Sequence, residues 1–220
     1  MAQKSSPSLL LFIIVWSGQL VSTIGSTMST FAFNIWAWEF SGQVTSLALV
    51  DFFTLLPSIF FAPITGVIVD RCNRKLLMML GDTVTVILTS VIIGLYFTNH
   101  LQVWHLYITG AIAGTFNQIQ WIAYSASVSL MVPQQHYVRA NSMDFVSSYG
   151  ANIVGPALAG YLYYSIGLGG IGLIDITTFL IAITSILFIK IPQTEQGSCV
   201  YSRVKLLHFV LLKRFRELLK

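Results

Sequence analysis

Charge is what this chain has least of. Twelve Lys or Arg and eight Asp or Glu among 220 residues make 9% charged, against about 25% in an ordinary soluble domain. A soluble enzyme is excluded on that ground, and a hydrophobic share of 55% makes a bilayer the natural surrounding. The formal net charge of +4 would point to nucleic acid in a soluble chain; here the apolar excess makes a membrane the partner instead. Cysteine is almost as scarce. Cys72 lies in a basic stretch and Cys199 in a polar one, so no disulfide framework is indicated and both read as ordinary thiols. His100, His105, His136 and His208 are scattered without metal-ligand spacing, and no P-loop, dinucleotide fingerprint or nucleophile triad occurs. These absences predict a non-enzyme with no cofactor and no metal, one that does not itself hydrolyse ATP.

What is present is long apolar runs. A hydrocarbon core about 30 Å thick takes roughly 20 helical residues to cross, and the runs predict six transmembrane helices at about 8–37, 44–69, 76–98, 104–131, 140–165 and 170–190. The breaks carry turn chemistry: Glu39–Gln43, Asp70–Lys75, Asn99–Val103, Pro133–Arg139 and the glycines around Gly167–Gly170. Lys4 followed by Leu9–Trp16 has the start of a signal peptide. The apolar run continues well past the roughly 7–15 residues of an h-region, so it reads as the first span.

Orientation follows from the cations. Lys4, then Arg71, Arg74 and Lys75, then Arg139, then Lys190 and the basic residues of the tail fall on one side of a six-crossing arrangement. The opposite loops hold Glu39 and His100 and no Lys or Arg. The positive-inside rule then predicts a multi-pass protein of the cytoplasmic (inner) membrane with both termini cytoplasmic. Residues 1–192 form the expected bundle. Residues 193–220 begin with a polar linker, and the basic, apolar stretch from Arg203 to Lys220 reads either as an interfacial helix on the anionic leaflet or as a linker towards a partner.

Polar residues inside the spans are the candidate cavity. Gln19, Thr23, Ser26, Thr30 and Asn34 recur at spacings of three and four on one face of the first helix, and Asn117, Gln118, Trp121 and Tyr124 form a comparable stripe, with Gly114, on the fourth. Amides and aromatic planes suit an amphipathic organic ligand; the same residues equally suit hydrogen bonding between helices. A charge at the bilayer centre costs roughly 3 kcal/mol on insertion scales, so carboxylates there are functional candidates. Asp51 and Asp82 lie deep in their spans and are candidate proton carriers. Asp144 and Asp175 are further candidates, but they lie nearer expected helix starts, where the helix dipole stabilises a carboxylate.

The stretch from Gly66 through Asp70, Arg71, Arg74 and Lys75, placed between the second and third of six helices, resembles the GxxxDRxGRK loop of the major facilitator superfamily. Asn73 stands at its second glycine and keeps a residue tolerant of left-handed angles. Ala151, Gly155, Pro156, Ala159 and Gly160 resemble the helix-five GxxxGPxxGG motif of the antiporter branches; Ala151, Gly155 and Ala159 also read as a generic small-residue packing stripe. Leu55–Pro57 through Ala62–Pro63, and Arg139–Ser142, look like the drug-efflux branch that includes macrolide and siderophore exporters. The resemblance implies an all-α membrane fold, the N-terminal six-helix bundle of that superfamily, with helices one and four lining a central cavity and the loop motif acting as a gate. It implies gradient-driven efflux of amphipathic compounds, with the lipid bilayer as surrounding and a second six-helix half or a second copy as partner; no nucleic acid is expected. The family's helix-four arginine, near Ala111, is missing, which weakens the usual proton relay. A truncated, non-transporting fragment or a membrane interaction protein is the competing expectation.

Overall fold

The computed structural model describes residues 9–188, with side chains from Leu11 to Leu187. The expectations for the extreme N-terminus, the end of the last span and residues 193–220 lie outside the described residues. Within them the chain forms α1 (Leu9–Ser41), α2 (Val44–Arg71), α3 (Arg74–Phe97), α4 (Val103–Met131), a short 3-10 turn (Gln134–His136) and α5 (Tyr137–Phe188). By length and composition, four segments are long and apolar enough to cross a membrane: Leu11–Ser41, Val44–Arg71, Arg74–Phe97 and Gln134–Leu187. α4 has the length, at 29 residues. Its polar residues, among them Asn117, Gln118 and Gln120, lower its hydropathy.

Local chemistry sets the ends. α1 stops at Gly42, whose φ of 66° favours a residue without a Cβ, and the Gly42 N–H returns to the Trp38 carbonyl at 2.8 Å. Asn99 closes α3 at φ 57°, while the His100 N–H reaches the Leu95 carbonyl at 3.0 Å. Asn73 departs from expectation. Its backbone is extended (φ −66°, ψ 113°) instead of left-handed, and its side chain caps α3 by accepting from the Leu76 N–H at 3.2 Å. A glycine could not make that bond.

The loop expected at Gly167–Gly170 is reduced to one residue. α5 is two helices merged across a kink at Gly167 (φ 65°, ψ −176°). The neighbouring glycines serve packing instead: a Cβ on Gly169 would press on the Phe97 ring, and one on Gly172 would collide with Ile93. Both partners lie on α3, so these glycines let the second arm of α5 approach that helix.

Helix pairing is non-sequential. α1 packs most extensively on α5, α2 on α4, and α3 on both α4 and α5. Two apolar cores result. One joins Phe12 and Val15 with Val69, Leu77, Met78, Val128, Met131, Ala140 and Ile186, at the end carrying Arg71, Arg74, Lys75 and Arg139. The other joins Met28 and Ala32 with Val50, Ile92, Leu106, Ala159, Tyr163 and Ile171 at the opposite end. Between these cores lie the polar residues Gln19, Thr23 and Ser26 of α1, Asp82 and Thr85 of α3, and Asn117, Gln118 and Gln120 of α4. Large apolar side chains such as Phe52, Ile59, Phe60, Val146, Ile153 and Tyr161 cover the outside of α2 and α5, an arrangement suited to a hydrocarbon surrounding.

Candidate functional site

A cleft of about 440 Å³ opens between the two cores. α1 supplies Trp16, Gln19, Thr23, Ser26 and Thr30; α4 supplies Gly114, Asn117, Gln118, Gln120, Trp121 and Tyr124. α2 adds Thr54 and Leu55, α3 Asp82 and Thr85, and α5 Asp144, Ser147, Asn152 and Phe179. Thr30, Leu55, Asn117, Trp121 and Asn152 are exposed, so this is an open-sided cleft. Gly114 brings α4 against α2, since a Cβ there would overlap the Thr54 backbone.

Nearly the whole predicted stripe of α1 faces this space; Asn34 does not. Its amide donates to Asp51 at 3.1 Å, outside the cleft. The other α1 residues are already engaged. Thr23 and Thr30 donate back to the carbonyls of Gln19 (2.7 Å) and Ser26 (2.9 Å), and Ser26 donates to Asp175 at 3.1 Å. On α4 the situation is reversed. The Asn117 and Gln118 amides and the Trp121 indole make no hydrogen bond among the described residues. The Trp16 indole N–H is likewise buried without an acceptor. Unengaged groups open to a ligand therefore include the Asn117 and Gln118 amides and the Trp121 indole of α4, whereas the Trp16 N–H is buried.

The four carboxylates separate into two pairs. Asp82 and Asp144 line the cleft, whereas Asp51 pairs with Asn34 and Asp175 is buried behind α1. Asp82 accepts from Gln120 at 2.9 Å and from Gln19 at 3.5 Å, and Gln120 also donates to the Gln19 side-chain oxygen at 2.9 Å. Three helices are thus tied at one carboxylate. Gly81 makes room for the tie, because a Cβ there would lie 2.6 Å from Gln120 Cβ. Asp144 accepts from the Tyr124 hydroxyl at 2.8 Å. Asp175 accepts from Ser26 at 3.1 Å and from Thr89 at 3.4 Å. Asp144 is the eighth residue of α5 and Asp175 the eighth after the Gly167 joint. Both lie beyond the first turn, where the dipole acts; side-chain hydroxyls hold them instead.

Gln120 falls off the α4 stripe read from sequence. The signal that finds it is that three amides within four residues cannot all face lipid, so at least one must meet an inward polar partner.

The loop motif divides in two. The Arg74 guanidinium donates to the Ala126 carbonyl at 2.6 Å, and Lys75 Nζ to the Leu187 carbonyl at 3.1 Å, tying the start of α3 to the ends of α4 and α5. Asp70 and Arg71 are exposed and make no hydrogen bond or ion pair among the described residues. A Cβ on Gly66 would meet nothing within 4 Å, so among the described residues the glycine admits no neighbour. The helix-five stripe faces inward. Ala151 and Ala159 are fully buried, Gly155 abuts Thr27 of α1, and the Thr27 hydroxyl donates to the Ala151 carbonyl at 3.1 Å. Pro156 is half-buried beside it, and Gly160 faces the Phe31 ring at 3.8 Å.

Comparison with known proteins matches this arrangement to a family. The chain is 29% identical over 182 residues to Macrolide efflux protein A of Streptococcus pyogenes, covering 83% of this chain and 45% of that protein. It is 31% identical over 153 residues to Macrolide efflux protein A of Enterococcus faecalis (70% and 46%), and 26% identical over 185 residues to the uncharacterized MFS-type transporter YkuC of Bacillus subtilis strain 168 (83% and 42%). The chain thus spans less than half the length of these curated relatives. The model of the Major Facilitator Superfamily matches residues 15–219, nearly the whole sequence, and the chain belongs to that superfamily of membrane transporters.

Proposed function

We propose that this chain is a six-crossing half of a gradient-driven efflux transporter for amphipathic organic compounds, seated in the cytoplasmic membrane with both termini in the cytoplasm. The cleft carries the reading: a polar space between two dry cores, with unengaged amides and an indole on α4. Length supports six crossings. At 1.5 Å per residue a straight α5 would run about 78 Å, more than twice a hydrocarbon core of about 30 Å, whereas its arms of about 30 and 20 residues on either side of Gly167 each suffice. α4, whose polar face belongs to the cleft, supplies another crossing. Segregation of Arg71, Arg74, Lys75 and Arg139 at one end supports the cytoplasmic assignment of that end.

The open side of the cleft, between exposed Leu55, Trp121 and Asn152, calls for a second wall. A second six-helix half, or a second copy of this chain, supplies it, and alternating access rocks one bundle against the other. The test is dye flux in proteoliposomes under an imposed pH gradient, over a range of protein-to-lipid ratios and with a separately expressed C-terminal half of a family relative. Flux above empty vesicles that falls on Trp121→Ala supports the reading. Absence of flux under every condition counts against it and favours a non-transporting membrane fragment.

A further inference from the structure

We propose that Asp144 is the counter-ion for a protonated amine on the transported compound, with Tyr124 holding it in place and Trp121 supplying an aromatic wall; this rests on the cleft being the substrate site. The charge inventory comes first. Among the described residues lining the cleft there are two carboxylates and no Lys, Arg or His. A membrane-embedded space whose acidic and basic side chains, among the described residues, are all carboxylates attracts a cation and repels an anion.

The two carboxylates are not equivalent. Asp82 is only 5% exposed, and amide donors from Gln120 and Gln19 occupy both of its oxygens. A ligand would have to break a three-helix tie to reach it. Asp144 is half-buried, and only its Oδ1 is engaged, by the Tyr124 hydroxyl. Its Oδ2 has no donor among the described residues, although the side chain lines the cleft. Tyr124 is itself 4% exposed, so its hydroxyl fixes the carboxylate from a rigid position. The Trp121 ring lies 6.1 Å from the Tyr124 ring, tilted by 34°, and is half exposed towards the opening. Trp121 lines the same cleft as Asp144 and offers an indole face, a surface that attracts cations, while the Asn117 and Gln118 amides, unengaged among the described residues, remain for polar groups on the same molecule.

The experiment uses the full chain in nanodiscs and energy transfer from tryptophan to dansylcadaverine, which carries a primary ammonium, compared with its N-acetyl derivative, which has the same skeleton and no charge. A hydrogen bond to a charged group corresponds to about a 10- to 100-fold preference for the amine. Asp144→Asn brings the amine down to the level of the acetylated probe, leaving the latter unchanged, and Asp144→Glu retains the preference. Equal affinities in the parent chain overturn the inference while leaving the cleft as a binding site; binding of neither probe overturns both. A preference that survives Asp144→Asn, or one that is lost in Asp82→Asn while the acetylated probe still binds, also overturns it. If Asp144→Asn loses the fold, Asp144→Glu decides: loss of the preference with acetylated binding intact refutes the assignment.

Discussion

Replacing Gly114 by alanine adds one methyl group at a close helix contact beside the cleft, where the obstructing atoms are backbone. That Cβ would sit 3.0 Å from the Thr54 carbonyl carbon and closer still to its oxygen, with the Thr54 side-chain methyl carbon at 3.3 Å. The obstacle is backbone, so no rotamer change relieves it, and α2 has to move away from α4 before ordinary contact is restored. Overpacking of this kind costs about 1–3 kcal/mol. Alanine in place of glycine in a helix interior otherwise gains roughly 0.5–1 kcal/mol, so a position without the clash should change in the opposite direction. Gly66 on α2 is that position, with nothing within 4 Å of a built Cβ. Thermal unfolding in mild detergent is the assay. Gly114→Ala should lower the midpoint, and Gly66→Ala should hold or raise it. Thr54 and Gly114 both line the cleft, so Gly114→Ala should also weaken dansyl-probe binding. Equal midpoints for the two variants, or a stabilised Gly114→Ala chain, would refute the claim that α4 is pressed against the Thr54 backbone.

Other changes test the polar ties. Gln120→Leu removes donors to both Asp82 and Gln19 and should cost about 1–3 kcal/mol for the carboxylate oxygen left unpaired, read as a lower unfolding midpoint. Asn73→Ala should cost about 1 kcal/mol through loss of the α3 cap, whereas Asn73→Gly, the residue of the family pattern, should cost only a few tenths, both by the same measurement. Arg74→Gln breaks the bond to the Ala126 carbonyl and should speed hydrogen exchange in the last turn of α4, before Met131, without altering exchange in the middle of α1.

Much of this arrangement is legible in the residues, and the parts that are not share a cause. Apolar runs mark the helices because a lipid-facing segment has no alternative, and the spacing of Gln19, Thr23, Ser26 and Thr30 shows that they share a face whatever that face meets. What the face meets depends on pairing between helices distant in sequence. Asp51 and Asp82 look alike by depth, yet Asp51 turns to Asn34 and Asp82 to the cleft. Ser26 reads as a cavity residue, and its hydroxyl is directed to Asp175, 149 positions away. The stripe of Ala151, Gly155 and Ala159 reads as a contact face, but α1 as its neighbour emerges only from the fold. Asn73 shows a different gap: its tolerance of left-handed angles is a property of asparagine that this turn does not use, since the cap does the same job from extended backbone.

The divided loop motif gives the sharpest test of the proposed second half. Arg74 and Lys75 bond to carbonyls at the ends of neighbouring helices of the same bundle, so their replacement acts on the bundle itself. Asp70 and Arg71 are exposed and a Cβ on Gly66 would meet open space, so no contact among the described residues accounts for these three positions. A glycine that meets no neighbour among the described residues, one turn from a carboxylate and a guanidinium that have no partner among them, fits a surface that closes on another bundle. The expected outcome is a clean separation. Asp70→Asn and Arg71→Gln should leave the unfolding midpoint and dansyl-probe binding within error of the parent chain, because exposed groups contribute within about 0.5 kcal/mol, yet both should abolish dye flux in the proteoliposomes. Arg74→Gln should lower the midpoint as well as the flux. If Asp70→Asn and Arg71→Gln support flux at the parent rate, the outward half of the motif has no gating role in this chain; if they destabilise the isolated chain, their partners lie within it.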